Sequence, residues 1–240
     1  MTVTRRNTAF WWSCVLGSCL VFPASAAGEA IDDLGQWTAL FAQGDIQTDE
    51  CAKTRYKWWF DGQLRFFDDA DGFGQSLVRP GLGVALSETS AVWGGYAWIR
   101  TSPGLAADFD EHRVWQQLTW SESLDEAKLD FRSRLEQRFV ETGSDTGCRF
   151  RQLAALRRPF QMDPRFTFVA WDEVFFHLND TDWGARDGFD QNRAFIGFGW
   201  KPDSESSWRI ETGYMHQFVN RSTQDDLSNH ILSINLFWNP

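Results

Sequence analysis

Apolar and polar residues alternate strictly along long segments of this chain, and this alternation restricts the fold more than any other feature. In residues 56–66 the even positions are Tyr, Trp, Phe, Gly, Leu and Phe, whereas the odd positions are Lys, Trp, Asp, Gln and Arg. Residues 127–139 repeat the pattern. A period of two places successive side chains on opposite faces of a β-strand. After residue 26 no segment shows a sustained helical period, so we predict an all-β protein.

The length of these segments indicates whether their apolar faces contact lipid or the core of a soluble protein. Strands of soluble proteins mostly have about 5–6 residues, whereas strands of membrane barrels have about 9–11 and carry aromatic girdles at both interfaces. Many segments here have ten or more residues, and the chain contains 14 Trp and 21 Phe. We therefore predict a transmembrane up-and-down antiparallel β-barrel of 10 to 12 strands, with Trp and Phe on its outer wall and girdles. A soluble lipocalin-like barrel is the alternative.

The first 26 residues are typical of a secretory signal peptide. Arg5 and Arg6 precede a short apolar run, and residues 24–26 (Ala-Ser-Ala) form an A-x-A cleavage site. We expect residues 1–26 to be removed, leaving a single barrel domain at residues 27–240. The domain would cross the periplasm and insert into the outer membrane. A lipoprotein box at residues 16–19 and a twin-arginine signal are weaker alternatives.

The connections between the predicted strands alternate in length. Long polar connections at residues 179–190 and 220–228 alternate with shorter ones at 158–164 and 201–207. Membrane barrels have short periplasmic turns and longer extracellular loops, and bacterial ones have an even number of strands. Ten strands follow residue 53, and residues 37–43 add an eleventh segment. We therefore expect either that this segment lies outside the wall or that a twelfth strand lies near Ala30.

Two cysteines remain after the predicted cleavage, Cys51 and Cys148. The alternating strand directions place them at opposite ends of the barrel, too far apart for a disulfide. We predict two free thiols.

The predicted inward faces are strongly basic. They carry 18 cations and five acids, an excess of 13 positive charges, although the whole chain has a net charge of -10. Fixed positive charge in a pore favours anions. The acidic residues lie mainly in loops, and the net acidity argues against a nucleic-acid partner. The candidate anion-lined residues are Arg132, Arg134, Arg138, Arg149, Arg151, Arg165, Glu173, His177, Arg193, Arg209 and Glu211.

Motifs of known catalytic or metal sites are absent from the sequence, so we predict no enzyme activity, no cofactor and no metal site. Glu173 and His177 share a predicted face and form the one candidate acid/base pair, for an envelope lipid hydrolase. The alternative is that both belong to a salt-bridged network that neutralises buried charge. Asp172 lies on the predicted lipid-facing side, and we favour a β-bulge over an external partner as the reason.

Several motifs resemble an uncharacterised bacterial family known only as a domain of unknown function. They are residues 171–176 (Trp-Asp-Glu-Val-Phe-Phe), 188–193 (Gly-Phe-Asp-Gln-Asn-Arg) and Asn229-His230, supported by residues 79–83, Gly213-Tyr214 and Trp37. The resemblance implies a secreted outer-membrane barrel and supplies no activity. One departure is that Trp238 is followed by Asn239 and Pro240, whereas such barrels typically finish on an aromatic residue.

Three functions follow from these patterns. The first is a narrow anion-preferring pore or anion-binding barrel, the second a structural or assembly barrel with a filled lumen, and the third the lipid hydrolase. The expected partners are outer-membrane lipid, the outer-membrane barrel assembly machinery and small anionic solutes.

Overall fold

A computed structural model describes residues 30–46, 55–67, 72–104, 106–221 and 224–240. Within these ranges eleven strands form one closed barrel, which confirms the predicted fold class. The predicted signal peptide lies outside the described residues. No helix in the described ranges is long and apolar enough to cross a membrane. The strands are β1 (Ile31–Ile46), β2 (Tyr56–Phe67), β3 (Gly72–Ala85), β4 (Ser90–Thr101), β5 (Phe109–Leu124), β6 (Ala127–Val140), β7 (Thr146–Pro159), β8 (Phe166–His177), β9 (Gly188–Trp200), β10 (Trp208–Val219) and β11 (Leu227–Trp238).

The barrel closes through a parallel pair of strands. Chain neighbours pair antiparallel throughout, but β1 runs parallel to β11, from Ile31 opposite Leu227 to Ala42 opposite Trp238. An odd number of alternating strands gives the first and last strands the same direction, so parallel pairing is the only way to close such a barrel. The expected even number is therefore wrong. Residues 37–43 lie within the wall strand β1, and the described residues contain no twelfth strand.

The connections between strands lie at two ends of the barrel. We call the end with connections 102–108, 141–145, 178–187 and 220–226 the loop end, and the end with connections 86–89, 125–126, 160–165 and 201–207 the turn end. Among these eight connections, each turn-end connection is shorter than the loop-end connection that follows it in the chain, except that the last two are equal. Cys148 is a free thiol at the loop end of β7. Cys51 lies outside the described residues.

The outward faces of the strands are mainly apolar, and aromatic rings concentrate near both ends. At the turn end the Trp58 and Trp208 rings lie 5.7 and 5.5 Å from the ring of Trp238. At the loop end the Phe189 ring contacts Phe176 and Phe218. This arrangement matches the two aromatic girdles of a membrane barrel.

Other aromatic residues lie inside the barrel, which corrects the expectation that they belong to the outer wall. The buried rings include Trp37, Trp93, Trp115, Phe175 and Phe195. Strand alternation places these rings on the same inward faces as the arginines, but it does not indicate that large rings fit there. The guanidinium carbon of Arg151 lies 4.4 Å from the centroid of the Phe175 ring, a cation–π contact. Aromatic rings therefore fill lumenal space between charged groups.

Asp172 keeps a regular position on the outer face of β8. It lies opposite Ala154 on β7 and Ala194 on β9. Its carboxylate accepts hydrogen bonds from Asn192 Nδ2 at 2.9 and 3.1 Å. The bulge predicted at this position is wrong, since the register between β8 and β9 shifts further along, between Phe175 and Phe176.

Two facing glycines let the Trp115 ring lie flat against the inner wall. Gly81 on β3 pairs with Gly95 on β4. A Cβ atom added at either glycine would lie 2.5 Å from a carbon of the Trp115 ring. Such contacts are closer than van der Waals radii allow, so the ring would have to move.

We expect Gly81→Ala to lower the free energy of unfolding by about 1–3 kcal/mol, because overpacking a filled interior is destabilising. Gly94→Ala is the matched control, since the nearest atom to its added Cβ is 3.8 Å away. Urea titration of the folded barrel, followed by tryptophan fluorescence, measures both variants. Equal stability of the two variants would contradict the packing role of Gly81.

Candidate functional site

A network of ion pairs crosses the middle of the lumen and centres on Glu136 of β6. This carboxylate is fully buried and lies opposite Arg149 on β7. Arg149 Nη2 and Arg151 Nη1 each donate to it at 2.7 Å. The same register that forms the strand pair therefore places an acid beside a base.

The network continues through two further carboxylates, Glu173 of β8 and Glu111 of β5. Glu173 accepts hydrogen bonds from Arg132 at 2.8 Å and from Arg151 at 3.0 Å. Glu111 accepts from Arg113 at 2.7 Å and from Arg138 at 2.5 Å. Because Arg151 contacts both Glu136 and Glu173, these groups are held in one connected arrangement. Most lumenal arginines are thus neutralised by acids on neighbouring strands.

The positive excess of the lumen is smaller than the sequence predicts. Among the described residues, twelve cations and eight acids are buried or half-buried there, an excess of four. Glu111 and Asp190 lie inside, whereas Arg55, Arg100, Lys128 and Arg165 lie at strand ends with exposed side chains. The inward cations are Lys57, Arg65, Arg79, Arg113, Arg132, Arg134, Arg138, Arg149, Arg151, Arg157, Arg193 and Arg209, and the inward acids are Asp33, Asp61, Glu111, Asp130, Glu136, Glu173, Asp190 and Glu211.

Ten of the eleven candidate residues point into the lumen, and Arg165 does not. Arg165 precedes the first residue of β8 and pairs with Asp163 at 2.8 Å in an exposed turn. The alternation that assigns inward positions does not apply outside a strand. The ten that point inward are Arg132, Arg134, Arg138, Arg149, Arg151, Glu173, His177, Arg193, Arg209 and Glu211.

Glu173 and His177 do not form an acid/base pair. His177 Nε2 lies 3.4 Å from Asp190 Oδ1, and its ring packs edge-on against Trp183. Glu173 is occupied by Arg132 and Arg151. Both residues therefore belong to the salt-bridged network that the sequence offers as the alternative. In the described ranges, no group of three His, Cys, Asp or Glu side chains is placed to hold a metal ion.

Two buried arginines stack on Trp37 and have only neutral hydrogen-bond partners among the described residues. Arg65 donates to Gln63 and Gln75 at 2.6 and 2.7 Å. Arg193 donates to Gln191 at 3.1 Å. Their guanidinium carbons lie 4.0 and 4.8 Å from the centroid of the Trp37 ring. Trp37 and Arg65 are not among the residues predicted for the site, although Arg65 lies on a predicted polar face.

The same three residues also carry buried hydrogen-bond donors without a described partner. Arg65 Nε, Arg193 Nε and Trp37 Nε1 are buried and have no described hydrogen-bond partner. Buried polar groups are nearly always hydrogen-bonded, so three unpaired donors around one ring are unusual. Only acceptors would complete this cluster, which we call the Trp37 cluster (Trp37, Arg65 and Arg193).

The Trp37 cluster lies where two lumenal cavities meet. The loop-end cavity has a volume of about 910 Å³ and the turn-end cavity about 630 Å³. Both are lined by Trp37, Arg79, Arg151 and Arg193, which we call the constriction. A solute moving between the cavities would pass these four side chains.

Two loop-end connections are clamped together beside the larger cavity. The carboxylate of Asp182 accepts hydrogen bonds from the backbone N–H and hydroxyl of Ser144 at 2.9 and 2.8 Å, and from the backbone N–H of Asp145 at 3.1 Å. These bonds favour the ionised form and lower the pKa of the Asp182 carboxyl. The clamp positions the adjacent Trp183, whose ring lies 4.9 Å from the Arg138 guanidinium carbon.

We expect the clamp to be lost in acid and kept at neutral pH. A carboxyl whose pKa is lowered by folding contributes stability above its ordinary pKa of about 3.9, and this contribution is lost as the pH falls through the lowered value. Limited proteolysis of residues 178–187 should therefore be slow between pH 5 and 8 and faster below about pH 4. At pH 7 Asp182→Ala should already be cleaved rapidly, whereas Asp187→Ala, in the same connection, should be cleaved like the unchanged protein.

We expect Glu136→Ala to lower the free energy of unfolding by about 3–5 kcal/mol, because it leaves Arg149 and Arg151 without one of their buried partners. Glu126→Ala is the control, since the Glu126–Arg158 pair is exposed and such pairs contribute little. Urea titration measures both variants. Equally small effects would show that the lumenal ion pairs do not support the fold.

The chain is similar to proteins of known sequence and of known structure. The chain is 31% identical over 225 residues to an uncharacterized protein of Methylorubrum extorquens, over 91% of this chain and 93% of that protein. It is similar in structure to the NanC porin, with a TM-score of 0.46 and 10% identity, over 82% of this chain and 93% of the porin chain. Residues 34–228 match the family described as "Protein of unknown function (DUF2490)". The match confirms the resemblance noted in the sequence motifs, and the chain belongs to the DUF2490 family.

Proposed function

We propose that this protein is an outer-membrane β-barrel whose constricted lumen binds small anionic solutes. The observation that carries the proposal is the Trp37 cluster, in which two buried arginines have only glutamine oxygens as described hydrogen-bond acceptors. Burying an ion without a counter-ion is unfavourable, whereas a bound anion would supply the missing acceptors.

The charge of the cavities supports an anionic ligand. The larger cavity is lined by seven arginines: Arg65, Arg79, Arg113, Arg138, Arg149, Arg151 and Arg193. Of the three described carboxylates that line it, Glu111 is already bound by Arg113 and Arg138. The cavity volume of about 910 Å³ lies within the usual range of about 300–1,000 Å³ for small-molecule sites. Carboxylates and phosphates match the bidentate geometry of arginine.

The outer surface supports placement in a membrane. Outward side chains such as Leu82, Ile196 and Phe198 are more than half exposed, which is unfavourable in water when they form a continuous wall. The two aromatic girdles bound this wall. We assign the loop end to the extracellular side and the turn end to the periplasmic side. Outer-membrane lipid and the barrel assembly machinery would then be partners, and a nucleic acid would not.

The narrowness of the lumen limits the solutes to small ones. Arg134, Glu136, Trp115 and Phe175 are fully buried near the middle of the barrel, so little open space remains there. The same filling favours a second candidate function, a structural or assembly barrel without transport. The two candidates differ in whether the Trp37 cluster binds an anion.

Reconstitution into planar bilayers and binding measurements separate these candidates. We expect the purified barrel to give an anion-selective reversal potential across a KCl gradient, or, where it does not conduct, a saturable change in tryptophan fluorescence with inorganic phosphate. The double variant Arg65→Gln and Arg193→Gln should bind phosphate at least about tenfold more weakly, since a charge-assisted hydrogen bond contributes about 1.5–3 kcal/mol.

Arg165→Gln is the matched control, because it removes an arginine outside the lumen and should leave selectivity and binding unchanged. Heat-modifiable migration of the unboiled protein on a gel checks that each variant is folded. Cation selectivity, or the absence of both conductance and phosphate binding, would contradict the anion proposal and leave the filled barrel.

A further inference from the structure

Four consecutive strands carry a polar side chain at the centre of their outward face. Gln116, Ser133, Gln152 and Asp172 each lie within one residue of the midpoint of β5, β6, β7 and β8. The outward residues at the midpoints of β9, β10 and β11 are instead Ala194, Tyr214 and Leu232. We call the four polar residues the mid-wall belt.

The position of the belt is unfavourable for a barrel surrounded only by lipid. It lies between the two aromatic girdles, at the depth where acyl chains offer no hydrogen-bond donor or acceptor. A charged carboxylate is unfavourable at this depth, and polar residues within membrane segments usually mark functional contacts. The belt therefore indicates that another protein covers this side of the barrel.

The hydrogen bonds made by the belt leave some of its donors and acceptors unused. Gln116 and Gln137 exchange amide hydrogen bonds, and Gln152 donates to the carbonyl oxygen of Leu153. Each amide nitrogen carries two hydrogens, so each retains one N–H without a described partner. The Asp172 carboxylate accepts only from Asn192 among the described residues. The surface thus offers spare donors and a spare acceptor.

Small side chains surround the acceptor. Ala154 and Ala194 lie directly opposite Asp172 on the two adjacent strands. Methyl groups leave the carboxylate accessible and allow a second backbone to approach closely, as small residues do between membrane segments.

We propose that the mid-wall belt is the contact surface for a second copy of this chain, related by a two-fold axis parallel to the barrel axis and passing beside Gln152. Such an axis keeps every residue at its own depth and makes the interface self-complementary. It places β8 of one copy beside β6 of the other, so that Asp172 faces Ser133 and Gln152 faces Gln152. The Ser133 hydroxyl, which donates to Gln152 Oε1 at 2.5 Å within one copy, can rotate to donate to the Asp172 carboxylate of the other. This inference rests on the membrane placement proposed above and is independent of the anion site.

Disulfide cross-linking in intact outer membranes tests the proposed geometry. In a Cys51→Ser and Cys148→Ser background, Gln152→Cys should form a disulfide-linked dimer on mild oxidation, because this residue meets its own copy at the axis. Leu232→Cys is the matched control, since Leu232 is an exposed outward residue at the midpoint of β11. It should remain monomeric on a non-reducing gel.

A second measurement does not depend on added cysteines. Native mass spectrometry in mild detergent should show a dimer of the unchanged protein and loss of that dimer in Asp172→Leu, with heat-modifiable migration confirming that the variant barrel is folded. A monomeric unchanged protein, equal cross-linking at positions 152 and 232, or an adduct with a different protein would overturn the proposal. Recovery of the chain in the soluble periplasmic fraction would instead overturn the membrane placement, and the reversal potential tests the anion site separately.

Discussion

The structure depends on the pairing of buried arginines with carboxylates on neighbouring strands. An antiparallel register puts inward residues of adjacent strands side by side, and at Glu136 it puts an acid beside Arg149. Without such pairs, closing the barrel would enclose many like charges in a space with little water, which is unfavourable. Because Arg151 bridges Glu136 and Glu173, the strands β6, β7 and β8 are joined through their side chains as well as their backbones. The arginines also give the aromatic rings of the lumen their packing surface.

Because most lumenal arginines pair with carboxylates, the arginines without such a partner are informative about a ligand. Where a carboxylate faces an arginine, the pair has a structural role and needs no ligand. Arg65 and Arg193 depart from that rule, since glutamines occupy the places where acids stand elsewhere in the network. Asp172 is the corresponding departure on the outer face. Both proposals therefore start from the few polar groups whose local partners do not satisfy them, one inside the barrel and one on its wall.

Much of the fold could be predicted from the sequence, because alternation reports directly which side of a strand each residue occupies. It identified the long strands, the two ends and nearly all of the inward candidates. Alternation failed outside the strands, and it does not show which side chains contact each other. Arg165 lies one residue before β8, so its apparent face has no meaning. Trp115 and Phe195 fit inside the barrel because facing glycines leave space for their rings, and pairs such as Gly81–Gly95 become visible only when the register is known. The inward position of Asp190 depends on the irregular register at the start of β9, which no local pattern indicates.

The parallel closure makes the barrel depend on its first and last strands. β1 is the first described strand of the chain, and its partner β11 ends at Trp238. Until residues 227–238 pair with β1, the sheet has two open edges with unpaired backbone groups, which are prone to pair with other chains. The seam joins residues separated by almost 200 positions, the kind of long-range pairing that slows folding. A chain that lacks β11 would therefore lose the pairing of β1 with β11 and remain an open sheet, even with its other ten strands formed.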